Sequence, residues 1–566
     1  MVRAIPLTLC VALAHAAVPA AWAAPVEAPA VAPGAGDVLR DTTPPAPRPA
    51  MPAESSAPAV APSAPAATTG LSFVLKSLQL KGSSALSPEQ QRAVIAPYVG
   101  QAVADQELGQ IIAALRRAYE QQGLGLVGLG FPAQDVSSGV LTIEVVEPRL
   151  GRIQTPLSRN APISAERVQG LLRFFNVKEG QLLNVRDLDR ALFALNDLPG
   201  VQAKGSMTPA GDEGAYNLTI TVQARRAWDA AVTLDNQGSS FTGVWRAGAS
   251  VRWNNPLSLG DNLDLRTLWS SGGGVKVGRL AYETPVAYTP VRWSIGTSQV
   301  DYDLRGAFAD LSAHGSARVV DTGLSYPLIR SRVQTLVGRV GYESKTLTDR
   351  LDIIDYREDK QVRSWSAGLS YEGRDAFLGG GYVGAMLQWR NGHLSLKEPD
   401  ALAADQLLGN RATNGVFNKW EGQLSRLQAL TREWSVYGAV SRQWASRNLD
   451  TAEKMALGGP NGVRAYAASE GASDQATLLT AELRWWLNAN WTVFALYDWA
   501  RGERERRPDT TEGNGLILRG AGLGLSMSYP GWAAVKATLA WRGHQAPVSD
   551  SRDDRPRLFL SAQHTF

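Results

Sequence analysis

Cysteine is almost missing from this 566-residue chain, with one residue, Cys10, near its start. Residues 1–23 read as a cleavable secretory signal, with Arg3 ahead of a short apolar run and the small residues Ala21 and Ala23 at the cleavage positions. Removal of that segment leaves a mature chain without cysteine, which excludes disulfides and cysteine-ligated metals. A lipid-attachment site at Cys10 is disfavoured because Leu9 precedes it where a small residue is wanted. Histidine is sparse too: the five, at 15, 314, 393, 544 and 564, lack metal-ligand spacing. No later stretch approaches the roughly 20 apolar residues of a membrane-crossing helix. The formal charge of +4 is spread along the chain without a basic block, so no nucleic-acid partner is expected. Walker and Gly-x-Ser-x-Gly motifs are missing as well. Gly379-Gly-Gly-Tyr-Val-Gly384 formally fits the dinucleotide fingerprint, but an alternating strand follows it instead of a helix. The expectation is a protein that is not an enzyme and needs no metal or cofactor.

What is present falls into three zones. Residues 24–70 are rich in Ala, Pro, Ser and Thr and read as an extended or disordered linker, too poor in apolar surface to offset the entropy of ordering. Residues 71–225 carry two consecutive β-α-α-β-β units of roughly 75 residues each, 71–148 and 149–225, an internal repeat. In the first, Ser87-Pro-Glu-Gln opens a helix as N-cap and capping box, and Leu108, Ile111, Ile112, Leu115 and Tyr119 follow at helical spacing until Gly123. In the second, Ser164 and Asn184 cap helices over 165–174 and 185–195. Each unit reads as three strands covered by two helices. The exposed sheet edges either pack on neighbouring domains or accept a strand from an unfolded client.

From residue 226 to 566 helical periodicity disappears and tryptophan, absent from 23–227, occurs sixteen times. Val535, Ala537, Leu539 and Trp541 alternate with Lys536, Thr538 and Ala540, and the chain ends on Phe566. A soluble propeller or sandwich would bury one face of such strands in a dry core, yet Lys536, Thr538 and Arg542 lie on that face. Alternation with tryptophans near strand ends fits a transmembrane barrel better. Sixteen segments of this kind predict an all-β barrel of 16 antiparallel strands, with a long loop at 446–474. That loop holds Gly458-Gly-Pro-Asn-Gly-Val-Arg-Ala-Tyr466, in which Arg464 sits between Val463 and Ala465. From position alone, Arg464 reads equally as a solvated loop charge or as a group folded into the barrel.

Several motifs together resemble one family. Phe131–Glu147 is similar to the end of a first POTRA domain, Leu188–Val201 to part of a second, and Leu234-Asp-Asn-Gln-Gly238 and Trp253–Asp261 to the first barrel hairpins of the outer-membrane transporters of two-partner secretion, the haemolysin and filamentous-haemagglutinin exporters. The resemblance implies two α+β POTRA domains in the periplasm of a Gram-negative cell, a barrel in outer-membrane lipid, and a monomer that exports a large secreted exoprotein without nucleotide. It also implies that the loop enters the pore, and that Val493–Ala500 is the wall strand whose inward carboxylate, Asp498, bonds Arg464. Val463 and Tyr466 belong to the same loop-tip lock, and Glu470 and Asp474 match further loop positions. Ala465 and Ala500 stand where the family usually has glycine, and 25–70 shows no convincing plug helix. The competing reading is an assembly factor that inserts other barrel proteins; a plugged receptor or porin leaves the POTRA repeat unexplained.

Overall fold

The computed structural model describes residues 32–43, 72–157, 161–211, 214–407, 412–509, 513–547 and 554–566. The signal segment and most of the Pro-rich stretch lie outside these residues. The first described element is a helix, α1 (Ala35–Thr42). The first repeat unit follows: β1 (Phe73–Val74), β2 (Ser77–Lys81), α2 (Pro88–Ile95), β3 (Ala102–Val103), α3 (Asp105–Gln121), β4 (Gly128–Gly130) and β5 (Val140–Val146). The second comprises β6 (Arg149–Gln154), α4 (Ala165–Phe174), α5 (Val185–Asn196), β7 (Val201–Pro209) and β8 (Ala215–Ala224). The caps act as their residue types dictate. Ser87 Oγ accepts from Gln90 N at 3.2 Å while Gln90 Oε1 accepts from Ser87 N at 2.9 Å, and Asn184 Oδ1 accepts from Arg186 N at 3.0 Å.

Both units share one topology. In the three-stranded sheet of each, β2-β5-β4 and β6-β8-β7, the last strand is central, parallel to β2 or β6 and antiparallel to β4 or β7. The first unit adds a separate two-stranded sheet of β1 and β3. The apolar faces of two helices cover each sheet, with Ile111, Leu115 and Tyr119 buried in the first unit and Val168, Leu171, Leu188 and Leu195 in the second. The units join where Val185 N donates to Gly123 O at 2.9 Å. Gly123 has a φ of +85°, and a Cβ there would stand 2.2 Å from Asn184 Oδ1, so this turn requires glycine.

The barrel runs β9 (Trp228–Asp235), β10 (Arg246–Asn254), β11 (Asn262–Ser270), β12 (Val275–Pro285), β13 (Arg292–Asp303), β14 (Ala313–Arg330), β15 (Gln334–Leu351) and β16 (Tyr356–Asp375). It continues through β17 (Gly381–Leu396), a short helix α6 (Pro399–Gln406), β18 (Gly415–Ala429), β19 (Trp434–Ala445), β20 (Gln475–Trp486), β21 (Trp491–Glu503), β22 (Gly515–Tyr529), β23 (Ala533–Arg542) and β24 (Arg557–Thr565). Each strand pairs antiparallel with the next, and Ser561–Thr565 of β24 pairs with β9 to close the sheet, giving the sixteen strands expected. Strand β16 starts at Tyr356, five residues ahead of the alternating segment at 361. The charged run Arg357-Glu-Asp-Lys reads as a loop, yet it stays paired with β15. Leu265, Val340, Leu369, Leu424 and Leu523 stand exposed on the outer face, with Trp253, Trp269, Trp365, Trp434 and Trp541, whereas Lys345, Lys360, Lys419, Glu482 and Asp498 are buried on the inner face.

The second unit is fixed to the short turns on one rim of the barrel. Arg330 makes a bidentate pair with Asp197 at 2.8 and 2.9 Å, Arg167 Nη1 donates to Ala287 O at 2.7 Å, and Asn255 Nδ2 donates to Pro162 O at 2.5 Å.

Helix α1 corrects the reading of 25–70 as a tether without a helix. Ala35, Val38 and Leu39 are buried among Phe241, Val275, Val300, Tyr302, Leu304 and Phe308, with the helix lying inside the barrel. Eight residues are too few to form a stable helix alone. The walls of the lumen supply the apolar contacts that a solvent-exposed linker lacks.

Candidate functional site

The loop after β19 turns back into the barrel. At its base Met455 N donates to Ser473 O and Ser473 N to Met455 O, each at 2.9 Å, pinching the two limbs together. At its tip Leu457, Val463, Ala465 and Tyr466 are buried against Ala476, Leu478, Ala500, Leu516, Leu518 and Ala540, the inward small and aliphatic residues of β20–β23. Close approach depends on Gly520 of β22, where a Cβ would stand 2.8 Å from the Ala465 methyl and 3.3 Å from Val463 Cγ1.

Arg464 is 1% exposed. Its Nε and Nη2 donate to Asp498 Oδ2 and Oδ1, each at 2.8 Å, and its backbone N donates to Oδ2 at 3.1 Å. This fork matches the carboxylate plane and fixes the orientation of the loop as well as its position. The remaining nitrogen, Nη1, is hydrogen-bonded to Glu482 of β20. Glu482 Oε2 in turn accepts from Arg484 at 2.7 and 2.9 Å, and the Arg484 guanidinium lies 4.6 Å over the Tyr437 ring. The chain Asp498–Arg464–Glu482–Arg484 therefore balances two positive and two negative charges, which is what allows so much ionised surface to be buried.

The other loop positions occupy different parts of the site. The Tyr466 hydroxyl donates to Gln545 O at 2.9 Å. The Glu470 carbonyl accepts from Leu457 N and Gly458 N at 3.0 and 2.9 Å. Asp474 is at the base, not the tip, where it accepts from Leu449 N at 3.1 Å and Arg506 N at 2.9 Å and pairs with Lys454 at 3.1 Å. Ala465 keeps a negative φ, so the methyl that replaces the family's usual glycine is accommodated without strain. Glu482 was missed by the sequence reading, although alternation along β20 puts it on the same inward face as Thr480.

Between the loop, α1 and the walls, the lumen retains a cavity of about 1480 Å³, lined by Arg40 and Asp41 of the helix and Pro460 and Asn461 of the loop. The passage is thus occupied by two segments of the chain itself. Among the described residues no cluster of His, Cys, Asp and Glu is arranged to hold a metal.

Residues 214–527 match the family model described as haemolysin secretion/activation protein ShlB/FhaC/HecB, and residues 73–148 match the POTRA domain, ShlB-type. The heme/hemopexin transporter protein HuxB of Haemophilus influenzae is 24% identical over 508 residues, spanning 88% of each chain. The outer membrane transporter CdiB of Escherichia coli is 26% identical over 521 residues, 85% of this chain and 84% of that one. The solved structure of CdiB from Escherichia coli superposes with a TM-score of 0.71 at 22% identity, covering 90% of this chain and 93% of that one.

Proposed function

The chain belongs to the haemolysin secretion/activation protein family, whose model covers more than half of it, and from that premise we propose how it exports its partner. It is an outer-membrane transporter of two-partner secretion, with its POTRA region in the periplasm, and it passes a secreted protein outward. One observation carries the mechanism: the lumen already holds polypeptide. An α-helix with side chains is roughly 10–12 Å across, and α1 fits inside the barrel beside a folded loop. Once α1 leaves, the bore it vacates admits a single chain, extended or as a hairpin.

The client is captured in the periplasm by strand addition. Strand β7 is an edge of its sheet, and Lys204 to Thr208 stand exposed along it, ready to pair with an unfolded segment. The docking of the second unit on the barrel rim keeps that edge near the pore entrance. The tip lock of Val463, Arg464, Tyr466 and Asp498 holds the wall in its conducting shape. Export proceeds without nucleotide, drawn by folding of the client outside. One copy suffices because the barrel closes on itself, and outer-membrane lipid covers its apolar face.

Comparison of secreted and membrane-inserted proteins in cells with and without this chain tests the reading. Loss of one large secreted protein, with the other barrel proteins at normal levels, is the expected result. General depletion of barrel proteins would instead assign the chain to membrane-protein assembly.

A further inference from the structure

The root of the long loop carries a second ionic anchor. Thr451–Glu453 forms one tight helical turn, and Glu453 is 2% exposed. Its carboxylate lies 2.6 Å from Lys345 Nζ of β15, 3.0 Å from Lys419 Nζ of β18 and 3.9 Å from Arg390 Nε of β17. Lys419 Nζ also donates to the Glu453 carbonyl at 3.0 Å. Asp450 caps the turn by accepting from Ala452 N at 3.0 Å and lies 3.4 Å from Lys360 of β16. Four adjacent strands therefore each send one cation to the loop root. Burying that many charges is unfavourable unless each is paired; the wall carboxylates Glu343, Asp349, Glu358 and Glu421 pair with these cations too, and the two loop acids complete the network.

The same turn is the seat of α1. A Cβ on Gly36 would stand 2.4 Å from Thr451 Oγ1 and 2.7 Å from Ala452 N, so helix and turn are in direct contact. Arg40 Nη1 donates to Thr451 O at 2.9 Å. At the other end of the helix, Ala35 N donates to Asp349 Oδ1 at 2.6 Å, and Asp349 Oδ2 lies 3.4 Å from the same Lys360 that pairs with Asp450. The tip lock, by contrast, bonds to β20 and β21.

We infer that Glu453 is a positioning residue that fixes the seat of α1, so that the loop root, more than the loop tip, sets whether the pore is plugged. The inference rests on the transport reading only in taking α1 as the plug. Its test needs no client: conductance of the purified full chain in planar bilayers, with insertion checked by the gel shift of the heat-denatured barrel. Glu453→Gln is expected to raise the open fraction about tenfold, within what unpairing a buried carboxylate releases. Glu453→Asp, which keeps the charge, recovers part of the closure, and Asp498→Asn opens the pore less than Glu453→Gln does. Gly36→Val, whose Cβ would also stand 3.1 Å from Asp450 Oδ1, dislodges α1 sterically without removing a charge, and opens the pore. Because coupling is reciprocal, Gly36→Val also speeds maleimide labelling of an Ala452→Cys reporter, a readout that does not depend on Glu453 variants inserting. A parent-like open fraction in Glu453→Gln beside an open Gly36→Val would overturn the inference. So would greater opening in Asp498→Asn, or a reporter whose labelling ignores α1. Loss of the secretion phenotype with these conductances intact would count against the transport reading alone.

Discussion

The two ends of the long loop use the same electrostatics with the signs exchanged. At the tip, a loop cation enters a wall of acids, Asp498 and Glu482, on β20 and β21. At the root, the loop acids Asp450 and Glu453 join four wall cations on β15–β18, which the wall carboxylates Glu343, Asp349, Glu358 and Glu421 also pair with. The geometry differs as well as the sign. Arg464 presents a planar fork and its own backbone N–H to one carboxylate, which specifies direction. The root relies largely on lysines, point charges on flexible stems that tolerate rotation and act by number. The tip therefore specifies a conformation, and the root holds a position.

Arginine-to-lysine exchange breaks that comparison most sharply. Arg464→Lys keeps the charge and loses the fork, and secretion is expected to fall about tenfold or more, nearly as far as in Arg464→Ala, while the barrel still inserts. The reverse exchange at the root, Lys345→Arg, keeps roughly half or more of parental secretion, because direction matters less there. Quantifying the client in medium and periplasm checks both. Parental secretion by Arg464→Lys would remove the distinction between fork and point charge.

The two anchors were unequally legible in the sequence. Arg464 lies in a recognisable motif, and the family resemblance supplies Asp498 as its partner, with alternation along β21 putting that carboxylate inward beside Leu496, so both could be named before any fold was known. Glu453 could not be, because its partners Lys345, Arg390 and Lys419 come from three strands separated by long stretches of chain, and only barrel closure and register bring them to one height. The repeat units and sixteen strands were readable because alternation and helical spacing are local properties. Helix α1 was not legible. Ala35, Val38, Leu39 and Thr42 follow the i, i+3, i+4, i+7 spacing, but two turns amid prolines carry too little signal, and the surface that stabilises them lies hundreds of residues away.

Steric contact separates the two ends more gently. Gly520→Val drives a side chain into Ala465 and Val463, and overpacking of this kind costs about 1–3 kcal/mol. The expected result is a severalfold loss of secretion with α1 still seated, since the root is untouched. Gly278→Val on β12 is the control, because a Cβ there meets nothing within 4 Å. Equal secretion by the two variants would mean that the tip does not need its close fit against β22.

A buried carboxylate outside the barrel sharpens the comparison, because among the described residues it is held with no cation. Glu147, at the end of the first repeat unit, accepts from Ser84 N and Ala85 N at 2.8 Å each, from the Ser84 hydroxyl, and from the Tyr119 hydroxyl at 3.3 Å. Burial pushes its pKa up, but the hydrogen bonds from Ser84, Ala85 and Tyr119 outweigh burial and hold it below the ordinary carboxylate range. A carboxyl whose folded pKa is depressed contributes stability that is complete above its unfolded pKa and fades as pH falls through the folded one. The first unit should therefore loosen on acidification below the usual carboxylate range. Glu147→Gln should be less stable at neutral pH and flatter across the same window, because it has no proton to take up. Hydrogen exchange of residues 72–148 in the full chain, corrected for intrinsic rates and followed from neutral to acidic pH, measures both slopes. Parallel slopes would show that the acid response of this unit comes from other carboxylates. The effect is the smallest of those expected here, since protonating Glu147 leaves no unpaired cation behind, whereas removing Glu453 leaves its lysines buried without their common partner.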